Sequence, residues 1–340
     1  MTPQADTRPA AASRLRLPAD RTHCHRSRSP SPAASRPPTT VELTERFACF
    51  GTTVAVVASG EDGAVVRTAM ARARGVALDV HHHLTRFDPA SDLCRLNADP
   101  RRAVPAGSLL RRLAEAARWA GEASGGLVDA TCLPALEDAG YREHFEPGGG
   151  VGPRWQRALR SPAPLAGGWR LLRVSGTSIV RPAGVRLDSG GLAKGMAADL
   201  MAHALRDCAA WAVDCAGDVR LGGTADLERA VHVAGPHAGD DPVHTLHLRA
   251  AAVATSGVTR RAWAGGGHHL IDPRTGSPAD TGLVQVTALA PTGLLAEVRA
   301  KAALLSGPGG AADFLPDGGV AVTSAGAIHV HLTTLRGASR

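Results

Sequence analysis

From residue 211 onward the chain sets short apolar strand patterns one after another. They fall at 211–215, 230–234, 243–248, 251–255, 268–271 and 283–290. One stretch of helical period, 293–306, precedes two last strands at 319–323 and 327–332. A doubly wound parallel sheet needs a crossover helix between its strands, so this order argues against one. Helical spacing lies mainly upstream. Residues 63–86 place Val65, Ala69, Ala73, Val76, Val80 and Leu84 on one face, and 107–123 form a second helix before Ser124-Gly125-Gly126. Val41–Ser59 reads as a hairpin broken at Phe50-Gly51, with further strands at 169–174 and 178–181. The Gly/Pro-rich 146–168 stretch reads as a long loop with a short helix near Trp155. The expected class is α+β, with mixed or antiparallel sheets and packed helices.

At 340 residues the chain can bury a large core. Aromatic residues make up only 3%, while Ala, Gly and Val abound, which favours close backbone packing. The net charge of +7 is unevenly placed: residues 1–40 hold seven Arg against two Asp, leaving about +2 for the rest. That remainder is no nucleic-acid signature. The Pro/Ser/Ala/Arg-rich segment 1–40 reads as a disordered tail before a folded domain over 41–335. No apolar run has signal-peptide or membrane-spanning length, so a cytoplasmic location is expected. The six cysteines form no Cys-x-x-Cys pair, and free thiols are expected.

Only two of the 38 basic residues are lysine, Lys194 and Lys301. Lysine is a compact point charge and arginine a broad planar fork, so lysines kept against such a bias suggest a task that arginine cannot perform. Chance survival of two lysines is the alternative. Lys194 closes a glycine-bounded loop, Leu187-Asp188-Ser189-Gly190-Gly191-Leu192-Ala193-Lys194-Gly195, which opens a helix. Glycines without Cβ atoms, a helix N-terminus and an ammonium together suit a phosphate or diphosphate. The loop is neither of the standard nucleotide-binding glycine patterns, and a plain glycine turn before a helix stays open.

Two further segments carry chemistry. In His268-His269-Leu270-Ile271-Asp272-Pro273-Arg274-Thr275-Gly276, His269 can take a proton from a hydroxyl near neutral pH. Asp272, Arg274 and Thr275 offer a carboxylate, a fork and a hydroxyl, or else only an Asx-type turn. Ala254-Thr255-Ser256-Gly257 ends a strand with hydroxyls and amides that could meet phosphate or sugar, and Asp214-Cys215-Ala216-Gly217-Asp218 is a second strand end in a small-residue turn. His81-His82-His83 sits on a helix, where adjacent side chains diverge, and reads as a polar face.

At these residues the chain resembles the FAD:protein FMN transferases of the ApbE family. The likeness runs from about Phe50 to about Gly307, with its pieces in family order: Phe50-Gly51-Thr52, Ser91 to Asn97, Ser124-Gly125-Gly126 with Asp129-Ala130-Thr131, Leu187 to Gly195, Ala216-Gly217-Asp218, Ala254 to Gly257 and His269 to Gly276. The resemblance implies a single domain with two lobes. It also implies a reaction in which FAD is cleaved, FMN is joined by a phosphoester to a Thr or Ser of an acceptor flavoprotein, and AMP is released. It implies His269 as the base and Asn97, Asp129, Thr131, Asp188 and the loop with Gly190, Gly191, Lys194 and Gly195 at the FAD site, to which Thr255, Ser256, Asp272, Arg274 and Thr275 are added as candidates from their own chemistry. It further implies Mg2+ contacts at the Gly191 carbonyl and on a late helix.

On that late helix the sequence departs from the family. Where the family places Asp and Thr as magnesium ligands four residues apart, this chain has Glu297 and Lys301. Glutamate can ligate the ion; a charged lysine cannot. Either Lys301 brings its own positive charge to the phosphates with Glu297 orienting it, or the two form a surface i,i+4 pair and the site is weakened. A flavin carrier without transfer activity, or an FAD pyrophosphate hydrolase yielding FMN and AMP, are the alternative functions.

Overall fold

The computed structural model of the chain describes residues 14–15, 40–143, 167–237, 239–263 and 267–331. Its centre is an eight-stranded sheet, antiparallel at every pairing. In spatial order the strands are Ile328–His331, Gly319–Thr323, Leu283–Ala290, Ala251–Gly257, Asp218–Gly222, Ala210–Cys215, Thr52–Gly60 and Val41–Cys49. The described residues form six α-helices: α1 (Gly63–Leu84), α2 (Asp92–Ala98), α3 (Ser108–Ala123), α4 (Leu133–Asp138), α5 (Ala193–Ala204) and α6 (Gly293–Ser306). The α+β reading holds, with antiparallel rather than mixed pairing in the main sheet.

Both faces of the sheet are covered, which explains why its strands are so continuously apolar. Along Thr52–Gly60, Val54, Val56 and Ala58 join α1 and α5 in one core, whereas Val57 belongs to the opposite face. There it meets Val231, Val233, Leu246 and Leu248 of the Arg229–Ala234/Pro242–Leu248 hairpin. Successive side chains point to opposite faces, so a strand covered on both sides loses its polar alternation. None of the described helices is long and apolar enough to cross a membrane.

The α5–α6 crossing positions the site. Gly195 and Gly293 face each other so closely that a Cβ on Gly195 would lie 2.5 Å from the Gly293 carbonyl oxygen and 2.9 Å from the Leu294 nitrogen. Asp199 on α5 accepts hydrogen bonds from the Gly293 and Leu294 N–H groups at 2.7 and 3.0 Å, placing a negative charge at the positive end of α6. Because the clash is with backbone, it has no side chain to absorb it. Gly195→Ala is therefore expected to destabilise the fold by about 3 kcal/mol, a cost typical of severe overpacking, read as a lower urea midpoint at unchanged slope.

Several sequence expectations shift. The buried stripe of α1 runs through Val66, Met70, Ala73, Ala77, Val80 and Leu84, and Val65 is 52% exposed. Residues 169–174 are not one strand: Gly168–Leu171 is a 3-10 turn that seats Trp169 against Gly121 of α3, and only Arg173–Ser175 is extended. The 268–271 strand splits into two two-residue ladders, Gly267–His268 and Ile271–Asp272, leaving His269 between them. Local periodicity does not reveal the short helices α2 and α4 or the Asp218–Gly222 strand. In the 1–40 segment, Arg14–Leu15 pairs with Val231–His232. The rest of that tail and the helix expected near Trp155 lie outside the described residues. The described cysteines, 49, 94, 132, 208 and 215, are free thiols.

Candidate functional site

A cavity of about 480 Å³ opens where the sheet's strand ends meet α5 and α6. That is room for a substantial part of a cofactor-sized ligand. Two hairpin turns form part of its wall. Phe50-Gly51 joins Cys49 to Thr52, and Ala216-Gly217 joins Cys215 to Asp218. Both central residues of each turn have positive φ, as a two-residue type I′ hairpin demands: 55° and 69° in the first, 60° and 95° in the second. Phenylalanine and alanine are poor choices there, and such backbone outliers concentrate at functional sites. The Phe50 ring stands edge-on to His81, another wall residue.

The polar floor is an alternating set of buried charges. Lys194, in the first turn of α5, forms an ion pair with Asp218, whose side chain is 2% exposed. One turn apart on α6, Glu297 and Lys301 are 4% and 14% exposed, with Lys301 Nζ 3.9 Å from Glu297 Oε1. The Lys301 ammonium donates to the Gly191 carbonyl at 3.1 Å, and Gly195 N–H donates to Glu297 Oε2 at 2.9 Å. The surface-pair reading of Glu297 and Lys301 is thereby overturned. Burial lowers the Lys301 pKa against the pull of Glu297 and raises that of Glu297. Burial also opposes the charge on Lys194, but the Asp218 and Glu297 carboxylates outweigh it and raise that pKa.

His269 lies on the same wall. Its Nδ1 is buried without a hydrogen-bond partner. Burial, then the positive charges of Arg261 and Lys301, hold its pKa well below the usual imidazole value. A neutral imidazole facing a cavity lined by cations can accept a proton at pH 7. Near the Lys194–Asp218 pair, Asp214 is pushed up to about 6 by burial, against a hydrogen bond from Gly217 N–H.

The cavity wall brings together Asp129, Asp188, Gly190, Gly191, Lys194, Thr255, Ser256, His269, Glu297 and Lys301. The other expected residues stand behind it. Asn97 holds the glycine loop through paired bonds with the Leu187 backbone, both 2.8 Å. Thr131 bonds Asp129 through hydroxyl and amide at 2.5 and 2.8 Å. Gly195 is consumed in the helix crossing. Asp272 makes an Asx-type turn and a two-pronged pair with Arg274, which also donates to the Leu305 carbonyl. Thr275 completes that turn. These residues brace the site without facing the cavity.

The amides of the glycine loop are also less free than the loop's composition implies: Gly190 N–H donates to Asp188 Oδ2 and Gly195 N–H to Glu297. The reading also missed residues that line the wall. Arg86 lies 4.2 Å from the centre of the Phe87 ring and 4.4 Å from that of Tyr141, and it pairs with Asp188 at 3.2 Å. Arg261 lines the cavity too. Asp218 carried a signal, since it follows a two-residue small turn opposite Lys194's loop, but nothing in sequence spacing tells that 24 residues fold back onto one ion pair. His81 lines the cavity, whereas His83 pairs with Asp92, so the three histidines do not act as one polar face.

The profile of the ApbE family matches residues 50–323. The chain belongs to the ApbE family. A protein of Treponema pallidum named FAD:protein FMN transferase is 38% identical over 144 residues, 37% of this chain and 39% of that protein. An ApbE protein from Thermotoga maritima superposes with a TM-score of 0.72 at 23% identity, over 86% of this chain and 97% of its own. The Pseudomonas stutzeri flavinyl transferase ApbE, in its apo form, gives 0.69 at 21% identity, over 86% and 95%. These two share the ApbE fold seen here.

The magnesium ion that the ApbE resemblance implies does not fit the donors present. Gly191's carbonyl already accepts from an ammonium, Glu297 accepts from Gly195, and Asp218 is paired with Lys194. Among the described residues no group of three or more His, Cys, Asp or Glu could hold a metal ion.

Proposed function

We propose that this chain, through the 41–335 domain, moves FMN from FAD onto a Thr or Ser hydroxyl of an acceptor flavoprotein and releases AMP. The observation that carries this reading is the placement of the His269 imidazole, whose Nδ1 has no hydrogen-bond partner, in one cavity with the Gly190–Lys194 turn and Lys301. A named FMN transferase among its relatives supports the substrate class.

In the reaction the acceptor oxygen attacks the phosphorus on the flavin side of the diphosphate. Its O–H proton passes to His269, the new O–P bond forms, and the bond from that phosphorus to the bridging oxygen breaks. AMP leaves carrying the bridging oxygen. Lys301 and Arg261 supply positive charge to the phosphates in a desolvated wall, where a fixed charge is worth more than in water. Lys194, neutralised in part by Asp218, anchors the floor. Asn97, Thr131 and the Asp272–Arg274 turn hold the loops rigid, so the reacting groups need little reorganisation.

The test is incubation of the full chain with FAD and a candidate acceptor domain, read by mass spectrometry. Transfer gives an acceptor heavier by FMN less one water, with AMP in equal amount. Free FMN and AMP with unmodified acceptor mean hydrolysis, and intact bound FAD means a carrier; either result overturns the proposal.

A further inference from the structure

The Lys301 ammonium sits on the two groups that the ApbE resemblance marks as metal contacts, 3.1 Å from the Gly191 carbonyl oxygen and 3.9 Å from Glu297 Oε1. We propose that Lys301 is a built-in replacement for the divalent cation, so that this chain carries the cationic charge at its diphosphate site covalently and binds no metal there. The identity of the diphosphate rests on the transferase reading; the exclusion of metal does not.

Three observations support the replacement. The first is fit. A Cβ on Gly191 would lie 3.1 Å from Lys301 Cε and 3.4 Å from Nζ, so the bare glycine is what lets the lysine stem lie along the loop. An arginine fork is broader and planar, which gives one of only two lysines a reason to have stayed lysine. The second is donor supply. Glu297 has one oxygen bonded to Gly195 N–H and the other turned toward Lys301, so the ammonium occupies the side of the carboxylate from which a cation would be held.

The third is charge. Lys194 and Lys301 face Asp218 and Glu297 in one buried cluster, which is already balanced. A divalent ion added there would meet no net negative charge to offset the cost of its own desolvation. With the ammonium in place, the cluster stays balanced and bound phosphate is met by a positive charge that needs no assembly. The one-turn spacing of Glu297 and Lys301 on α6 keeps the carboxylate beside the ammonium.

The experiment compares the full native chain with Lys301→Thr and Lys301→Met. Thermal unfolding and calorimetric titration with MgCl2 and MnCl2 are run without flavin, and FAD affinity and AMP release are then measured with EDTA or with Mg2+. Native protein is expected to show no metal-dependent rise in Tm, no binding heat and no loss of turnover in EDTA. Lys301→Thr is expected to gain a metal-dependent Tm rise. In EDTA its FAD affinity falls about 10- to 100-fold, the scale of one lost charge-assisted bond, and Mg2+ restores it. Lys301→Met shows the same loss without rescue, and carries the test if the threonine variant does not fold. Metal binding by the native chain, or a more than about tenfold fall in its turnover on chelation, overturns the proposal, as does full FAD affinity in Lys301→Met. A native chain that ignores both metal and FAD refutes only the transferase reading.

Discussion

His269→Asn is expected to lower kcat for FMN transfer by about 100-fold or more while FAD binds within a few-fold of native affinity. The reason lies in what the imidazole touches. Its Nδ1 is buried with no partner, so the hydrogen bond that the substitution puts at risk is the ring's bond to the Arg261 backbone. Its environment favours the uncharged ring through burial and through the Arg261 and Lys301 charges. The sign of the pH dependence follows. With the pKa depressed well below the ordinary value of 6.5, the ring is the proton-accepting species throughout the neutral range. Native kcat/KM should be level across neutral pH and fall only on the acid side of the usual imidazole range; the variant should lose that acid limb. Rates from stopped mass-spectrometric assays, beside FAD fluorescence titrations, separate chemistry from binding. A variant that binds FAD far more weakly yet keeps native kcat at saturation assigns His269 to binding instead.

Asp218→Asn should cost stability on the same scale as Gly195→Ala. It removes the ion-pair partner of a buried lysine, and the other carboxylate that raises the Lys194 pKa, Glu297, is itself engaged with Lys301 and the Gly195 amide. Breaking a buried pair typically costs about 3–5 kcal/mol, because the survivor keeps its desolvation penalty and loses its compensation. Lys194 is 18% exposed at the cavity edge, which places the expected loss near 3 kcal/mol, or a fall in Tm of about 5–10 °C. Lys194→Met in the same background should recover part of the loss, since the unpaired charge is then gone. A double-mutant cycle by thermal unfolding checks this. Additive losses in the cycle contradict the buried-pair account.

The class of the fold was legible because periodicity is local. Strands at 283–290 and 319–323 and helix α6 stand where their patterns place them. Of the candidate site, the Gly190–Lys194 loop and His269, which the structure places on one cavity wall, were legible from residue type. What escaped is set by tertiary contact. Asp218–Gly222 is a strand because it closes a type I′ hairpin with Ala210–Cys215, and its short polar start masked the pattern. Asp272, Arg274 and Thr275 have reactive side chains but use them on one another in a turn. The fate of Lys301 was open between surface and site because a lysine–glutamate spacing of four is the same in both. The close approach of α5 and α6 at Gly195 and Gly293 decides it, by carrying Lys301 onto Gly191.

The central claim is that one cavity holds a diphosphate between the Gly190–Lys194 turn and His269. A crystal structure of the chain soaked with FAD measures this directly. The expected density places the diphosphate within hydrogen-bond distance of the Lys301 ammonium, with the His269 imidazole on the flavin-side phosphorus. Flavin seated elsewhere, or a diphosphate directed away from both Lys301 and His269, contradicts the account.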